Sequence, residues 1–169
     1  MTVKIGKGVL IGDNVDINKD NEKNRWNMKV GFTCGAFDIL HTGHALMLEE
    51  AKTVCDHLIV AVQSDPSIDR LNKNRPVQSY DERIMMVKSI KFVDEVVLYD
   101  TENDLVELLK RIKPDIRILG ADWQGKKYTG WELPIEPYFN GRTHSYSSTS
   151  LRHRIYLAEL HKINHGIVS

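Results

Sequence analysis

Residues 34–48 read CGAFDILHTGHALML, and two imidazoles, His41 and His44, stand there one helical turn apart with Gly43 between them. The stretch lies where an apolar run gives way to an amphipathic one, the mark of a strand feeding a helix. At such a turn the first N–H groups of the helix lack partners and the helix dipole presents its positive end, which makes an anion site. Phosphate is the guest this suits. Gly35 and Gly43 carry no Cβ to hold a ligand off the main chain, while His41 and His44 can offer N–H donors to phosphate oxygens from nearly one face. The same pair could bind a metal, but no third ligand accompanies it at a spacing such as HExxH supplies. Asp38, taken alone, reads as a turn residue or a helix cap.

A second anion site is suggested by GRTHSYSSTSLRHRI, residues 141–155, where Arg142 precedes the hydroxyls of Ser147, Ser148 and Thr149 at the start of a helical pattern. Alone, such a cluster reads as an N-cap. Two helix starts meeting at one crevice would suit a triphosphate whose α-phosphorus is attacked while pyrophosphate leaves. That reaction needs positioning and charge stabilisation more than covalent help, commonly with Mg²⁺ bridging the phosphates.

The elements that must bring these groups together alternate along the chain. KVGFTC, HALMLEEAKTVC and HLIVAV read strand, helix, strand. SYDERIMMVKSI follows as a helix, with Ser79 and Glu82 at capping-box spacing, then EVVLY as a strand and ENDLVELLKRI as a helix behind Thr101. DIRILG and IEPYF read as further strands, and SSTSLRHRIYLAEL as a last helix with Leu151, Ile155 and Ala158 on one face. Such alternation predicts an α/β fold with a parallel, doubly wound sheet, whose ligands sit beyond the carboxyl ends of the strands where strand order reverses. TCGAFDILHTGH falls at that place.

The chain of 169 residues is expected to form one domain, residues 28–169, preceded by an appendage and linker, residues 1–27. VKIGKGVLIGDNVDI places Ile5, Ile11 and Ile17 six apart, as in a hexapeptide β-helix, but too few repeats follow for a solenoid, so a short β appendage around Gly12-Asp13-Asn14 is the reading. Lys plus Arg and Asp plus Glu number 23 each, giving no basic face for nucleic acid. No apolar run reaches the length of a membrane span. Cys34 and Cys55, the two cysteines, read as buried small hydrophobes in a reducing cytoplasm, with Cys34 close to whatever the histidines bind.

GAFDILHTGH resembles the GxFDxxHxGH motif of nucleotidyltransferases, and RTHSYSSTSLR resembles the RTxGISTT signature of the glycerol-3-phosphate cytidylyltransferase family. The likeness runs from about Lys29 to about Ile155 and includes SDP, SYDER, KFVDEVV and LGADWQGK in family order. It implies a Rossmann-like fold and transfer of a cytidylyl group from CTP, with Mg²⁺, to a small phosphate monoester. Glycerol 3-phosphate leads, with phosphocholine, phosphoethanolamine, phosphorylated amino-acid derivatives and an ATP-using relative as alternatives. A nucleotide-binding regulatory module is the competing reading, and a homodimer is expected.

By that resemblance His41 and His44 contact the phosphates in the transition state, with Gly35, Ala36, Phe37, Asp38 and Gly43 from the same motif at the nucleotide. Arg142, Thr143, Ser147, Ser148 and Thr149 match the signature that binds and closes over the triphosphate, while Arg83, Asp122 and Trp123 match positions lining the nucleotide or acceptor pocket. A phosphate-neutralising lysine maps to the loop RLNKNRP, with Lys73 first and Arg75 in reserve. Lys91 departs from the family, which often has arginine there, and the most telling departure is His144-Ser145-Tyr146, in place of a glycine-containing run, whose bulk is expected to reshape the acceptor pocket.

Overall fold

A computed structural model describes residues 28–141 and 143–167. The appendage read in residues 1–27 and the expected site residue Arg142 lie outside them. The strands are β1 (Val30–Gly35), β2 (His57–Gln63), β3 (Glu95–Tyr99), β4 (Ile116–Gly120) and β5 (Glu136–Asn140). The helices are α1 (Thr42–Thr53), α2 (Tyr80–Lys88), α3 (Glu102–Ile112) and α4 (Ser148–Asn164).

Apolar residues alternate along β2: Leu58, Val60 and Val62 face one core, Ile59 and Ala61 the other. A strand buried on both sides in this way is what a parallel sheet between two helix layers requires. The first core adds Leu48 of α1, Val87 of α2, and Ile116 and Ile118 of β4. The second adds Val30 and Phe32 of β1 and Leu105, Leu108 and Leu109 of α3. Helix starts are set by local chemistry. Ser79 and Glu82 form the expected reciprocal capping box on α2, and Thr101 and Asp104 form another on α3.

All strand pairs are parallel and the order is β3-β2-β1-β4-β5. The chain therefore winds outward from β1 in two directions, and the reversal lies between β1 and β4, which pair Phe32 with Arg117. Their carboxyl ends, Gly35 and Gly120, border the crevice that such a switch point opens.

Two expectations need correction. The last helix buries none of its residues: Ile155 is 46% exposed, and the face drawn through Leu151, Ile155 and Ala158 is no core face. Its attachment is polar, through its first two turns. Cys55 is buried as expected, but Cys34 is only half-buried: it packs against the edge of the second core and also lines a cavity. Among the described residues no helix is long and apolar enough to cross a membrane.

Candidate active site

Helix α1 begins at Thr42, two residues earlier than the apolar pattern alone indicates, so His41 is its N-cap. The cap is built from histidines. His41 Nδ1 accepts from Gly43 N–H at 3.0 Å, while His44 Nδ1 accepts from His41 N–H at 3.4 Å, the reciprocal arrangement that Ser and Glu make on α2. Each ring thus commits Nδ1 to the backbone, which leaves the proton of the neutral form on Nε2. The His41 Nε2–H donates to Ser148 Oγ at 3.1 Å, across the crevice at the start of α4. The rings stack with centroids 4.0 Å apart. Burial, and then the neighbouring His41, push the His44 pKa down to about 4 against the pull of Asp38. At neutral pH His44 is a neutral N–H donor.

Gly43 shows why no side chain stands between the two histidines. A Cβ there would lie 2.9 Å from His41 Cε1 and 3.0 Å from His144 Cε1, inside the contact distance of real side chains. The missing methyl makes room for the capping ring.

The loop into α1 holds two non-glycine residues in the left-handed region, Phe37 at φ 50° and Ile39 at φ 48°. A β-branched residue there is strained by about 1–2 kcal/mol. Asp38, between them, supplies the restraint. Its Oδ1 accepts from the N–H groups of Val77 and Gln78, at 3.0 and 2.9 Å, and its Oδ2 pairs with Arg152 of α4. Ile39 N–H donates to Gln78 Oε1 at 2.7 Å. Asp38 is therefore neither a local turn residue nor a cap; it fastens three separate segments. Arg152 escaped the sequence reading, although its signal was present: it stands four residues after Ser148, on the same face of the helix.

Two cavities meet beyond the sheet's carboxyl edge. The larger, about 580 Å³, is lined by His41, Gly43, His44, Lys73, Asp122, Thr143, Ser147 and Ser148, together with His144 and Tyr146. The smaller, about 270 Å³, is lined by Gly35, Ala36, Lys73 and Trp123, with Cys34, Arg70 and Arg117. Lys73, Met47 and Gly120 border both, so the cavities share a seam, and Lys73 rather than Arg75 reaches it. Arg75 is exposed beside Asp65.

The remaining expected residues stand elsewhere. Phe37 is buried in the core with its ring centroid 5.4 Å from that of His44, and it lines neither cavity. Arg83, 1% exposed, donates to the backbone carbonyls of Ala36, Gln63, Ser64 and Gln78 and supports the loops from behind. Thr149 is exposed on α4 and lines neither cavity; Ser147 is the N-cap, accepting from Ser150 N–H at 3.1 Å. His144 and Tyr146, tilted against each other with ring centroids 5.3 Å apart, line the larger cavity on the wall that carries the histidine cap. Among the described residues no cluster of three or more His, Cys, Asp or Glu could hold a metal ion; Glu50 and Asp122 are the carboxylates on the larger cavity.

The Cytidylyltransferase-like family model matches residues 32–154. Over 110 residues, 64% of this chain, the sequence is 44% identical to the Bifunctional protein HldE of Campylobacter curvus, and it is 43% identical over 109 residues to that of Caulobacter vibrioides. The chain spans only 23% and 22% of those relatives' lengths. Among solved structures, it is similar to a lipopolysaccharide core biosynthesis protein from Thermoplasma volcanium, with TM-score 0.59 and 29% identity over 69% of this chain and 99% of that one. A pantoate-beta-alanine ligase from Francisella tularensis shares the fold at TM-score 0.51 and 17% identity, over 74% of this chain and 65% of that one.

Proposed function

From the premise that this chain belongs to the cytidylyltransferase-like family, we propose that it transfers CMP from CTP to a small phosphate monoester and releases pyrophosphate. An oxygen of the acceptor phosphate attacks the α-phosphorus, the bond from that phosphorus to the bridging oxygen breaks, and pyrophosphate carries away the electron pair. Glycerol 3-phosphate or a related phosphorylated metabolite is the acceptor, and ATP is the alternative donor.

The observation that carries this reading is the histidine cap facing Ser148 over the larger cavity. Two imidazoles held by their own helix start carry Nε2–H groups at the larger cavity where charge grows on the α-phosphate: His44 offers its donor to that charge, and His41 turns to it the donor that otherwise meets Ser148. Being neutral, His44 stabilises that charge by hydrogen bonding. The formal positive charge is left to Lys73 at the seam and to Arg142. Ser147, Ser148 and Thr143 supply further donors to the triphosphate. Mg²⁺ bound to the triphosphate would neutralise part of its charge, and Asp122 on the cavity wall would be a carboxylate able to hold it. Trp123, Gly35 and Ala36 shape the acceptor side. The assembly is proposed to be a homodimer.

The test is pyrophosphate release with Mg²⁺, each nucleoside triphosphate and a panel of phosphate monoesters. Release with CTP and loss of about 10²- to 10³-fold in kcat for folded His44→Ala are expected. Triphosphate binding without release from any pair would make the chain a binding module instead.

A further inference from the structure

Arg117 sits in the middle of β4, between β1 and β5, in register with Phe32 and Pro137. An interior strand is a costly place for a guanidinium, which loses several kcal/mol of hydration unless it is paired. Arg117 is 3% exposed. Its Nη2 donates to Cys34 Sγ at 3.0 Å and its guanidinium lies 4.9 Å from the centroid of the Phe32 ring. A thiol and an aromatic face are weak compensation for a full charge. Its Nε and Nη1 have no hydrogen-bond partner, and no carboxylate among the described residues forms an ion pair with it.

The side chain lines the smaller cavity, which also holds Arg70 and Lys73 against a single carboxylate, Glu102. That carboxylate is already taken: one oxygen lies 3.2 Å from Arg70 Nη2 and the other accepts from Thr129. The cavity is thus short of negative charge by about two; Arg70 leaves its Nε unpartnered, and Arg117 leaves both Nε and Nη1 with no carboxylate at all. A fold that keeps such a group commonly does so for a ligand.

Size decides which ligand. The cavity of 580 Å³ that carries the histidine cap has room for a nucleotide, whereas one of 270 Å³ suits a metabolite of a few carbons. On the reading proposed above, the attacking phosphate and the α-phosphorus meet at the seam beside Lys73. The rest of the acceptor then lies in the smaller cavity, with Arg117 in its wall.

We propose that Arg117 is an acceptor-recognition residue and that the acceptor is an acidic phosphate monoester, carrying a carboxylate in addition to the phosphate that attacks. This deepens the proposed transfer reaction and rests on it. Charge-assisted hydrogen bonds of this kind are worth about 1.5–3 kcal/mol, or roughly 10- to 100-fold in kcat/KM.

Two matched pairs test it: 3-phosphoglycerate against glycerol 3-phosphate, and O-phosphoserine against phosphoethanolamine, the first of each carrying the carboxylate. In the wild type the acidic member should be favoured by 10-fold or more, mainly through KM. In Arg117→Met, with fold checked by circular dichroism, that ratio should collapse toward unity. Arg117→Lys, which keeps the charge, should retain part of it and serves if the methionine variant does not fold. A purely structural arginine would lower stability and leave the ratio intact. Equal use of both members, or a ratio unmoved by either substitution, overturns the acidic acceptor while leaving nucleotidyl transfer standing. Absence of pyrophosphate from every pair and every triphosphate refutes the transfer reaction instead. Thermal shift then decides on Arg117 alone: 3-phosphoglycerate, but not glycerol 3-phosphate, should raise the Tm of the wild type and not of the variant, and no such difference would sink the proposal.

Discussion

Acid should destabilise this protein through His44. The native ring is held neutral by burial and by His41, with its pKa pushed down to about 4 from 6.5. In the unfolded chain the same ring takes up its proton near pH 6.5, so between the two values the unfolded state binds more protons than the native one. Stability therefore falls as the pH drops through 6.5, and the loss is complete only below about pH 4. Comparing proton uptake by the two states gives a loss of about 0.8 kcal/mol at pH 6, about 2 kcal/mol at pH 5, and a ceiling of about 3 kcal/mol. Carboxylates titrate over the lower part of this range, so the wild type alone does not isolate the effect. Urea midpoints at pH 7, 6 and 5 for the wild type and for His44→Gln would isolate it, since the variant should lack this part of the slope. In parallel, the His44 Hε1 resonance should stay at its neutral shift down to about pH 5. Superimposable pH slopes for the two proteins, or an inflection of that resonance near 6.5, would refute the assignment of a neutral, desolvated cap.

Three further substitutions bear on the site. Gly43→Ala places a methyl against the His41 ring and should cost about 10²-fold in kcat, since a shift near 1 Å in a catalytic group has that effect; stability should change by less than about 1 kcal/mol, because alanine favours the helix. Arg83→Met strands the backbone carbonyls it now serves and should cost about 3–5 kcal/mol in chemical denaturation, with activity lost in step with the folded fraction. Deleting residues 1–27 should leave pyrophosphate release intact; loss of nucleotide affinity at an unchanged oligomeric state would show that the segment reaches the site.

What the sequence disclosed and what it concealed divide along the range of the interactions. Ser79 with Glu82, Thr101 with Asp104, and the buried alternation of HLIVAV are settled within a few residues, and each element stands where its local pattern places it. Asp38 could not be read this way, because its partners are Val77, Gln78 and Arg152, chosen by the fold and not by spacing. The left-handed backbone at Phe37 and Ile39 leaves no trace in residue type, since neither is a glycine or an asparagine. Arg117 did leave one: a charge inside the apolar run DIRILG contradicts a strand buried on both faces. Family likeness drew Arg83 and Thr149 into the candidate site, whereas only the packed loops show that Arg83 faces away from it.

The union of His41 with Ser148, and of Asp38 with Arg152, spans 107 and 114 residues of chain. These are contacts that a growing or refolding polypeptide makes late, after the sheet whose edge they cover, because closing so long a loop is entropically costly until other structure shortens it. Helix α4 adds no buried residue to either core, so its arrival contributes little to the collapse that precedes it. A chain that has gained its helical and strand signal can accordingly still lack one wall of the larger cavity. Recovery of activity on dilution from denaturant would then trail recovery of secondary structure, and the interval between them would time the docking of this one helix.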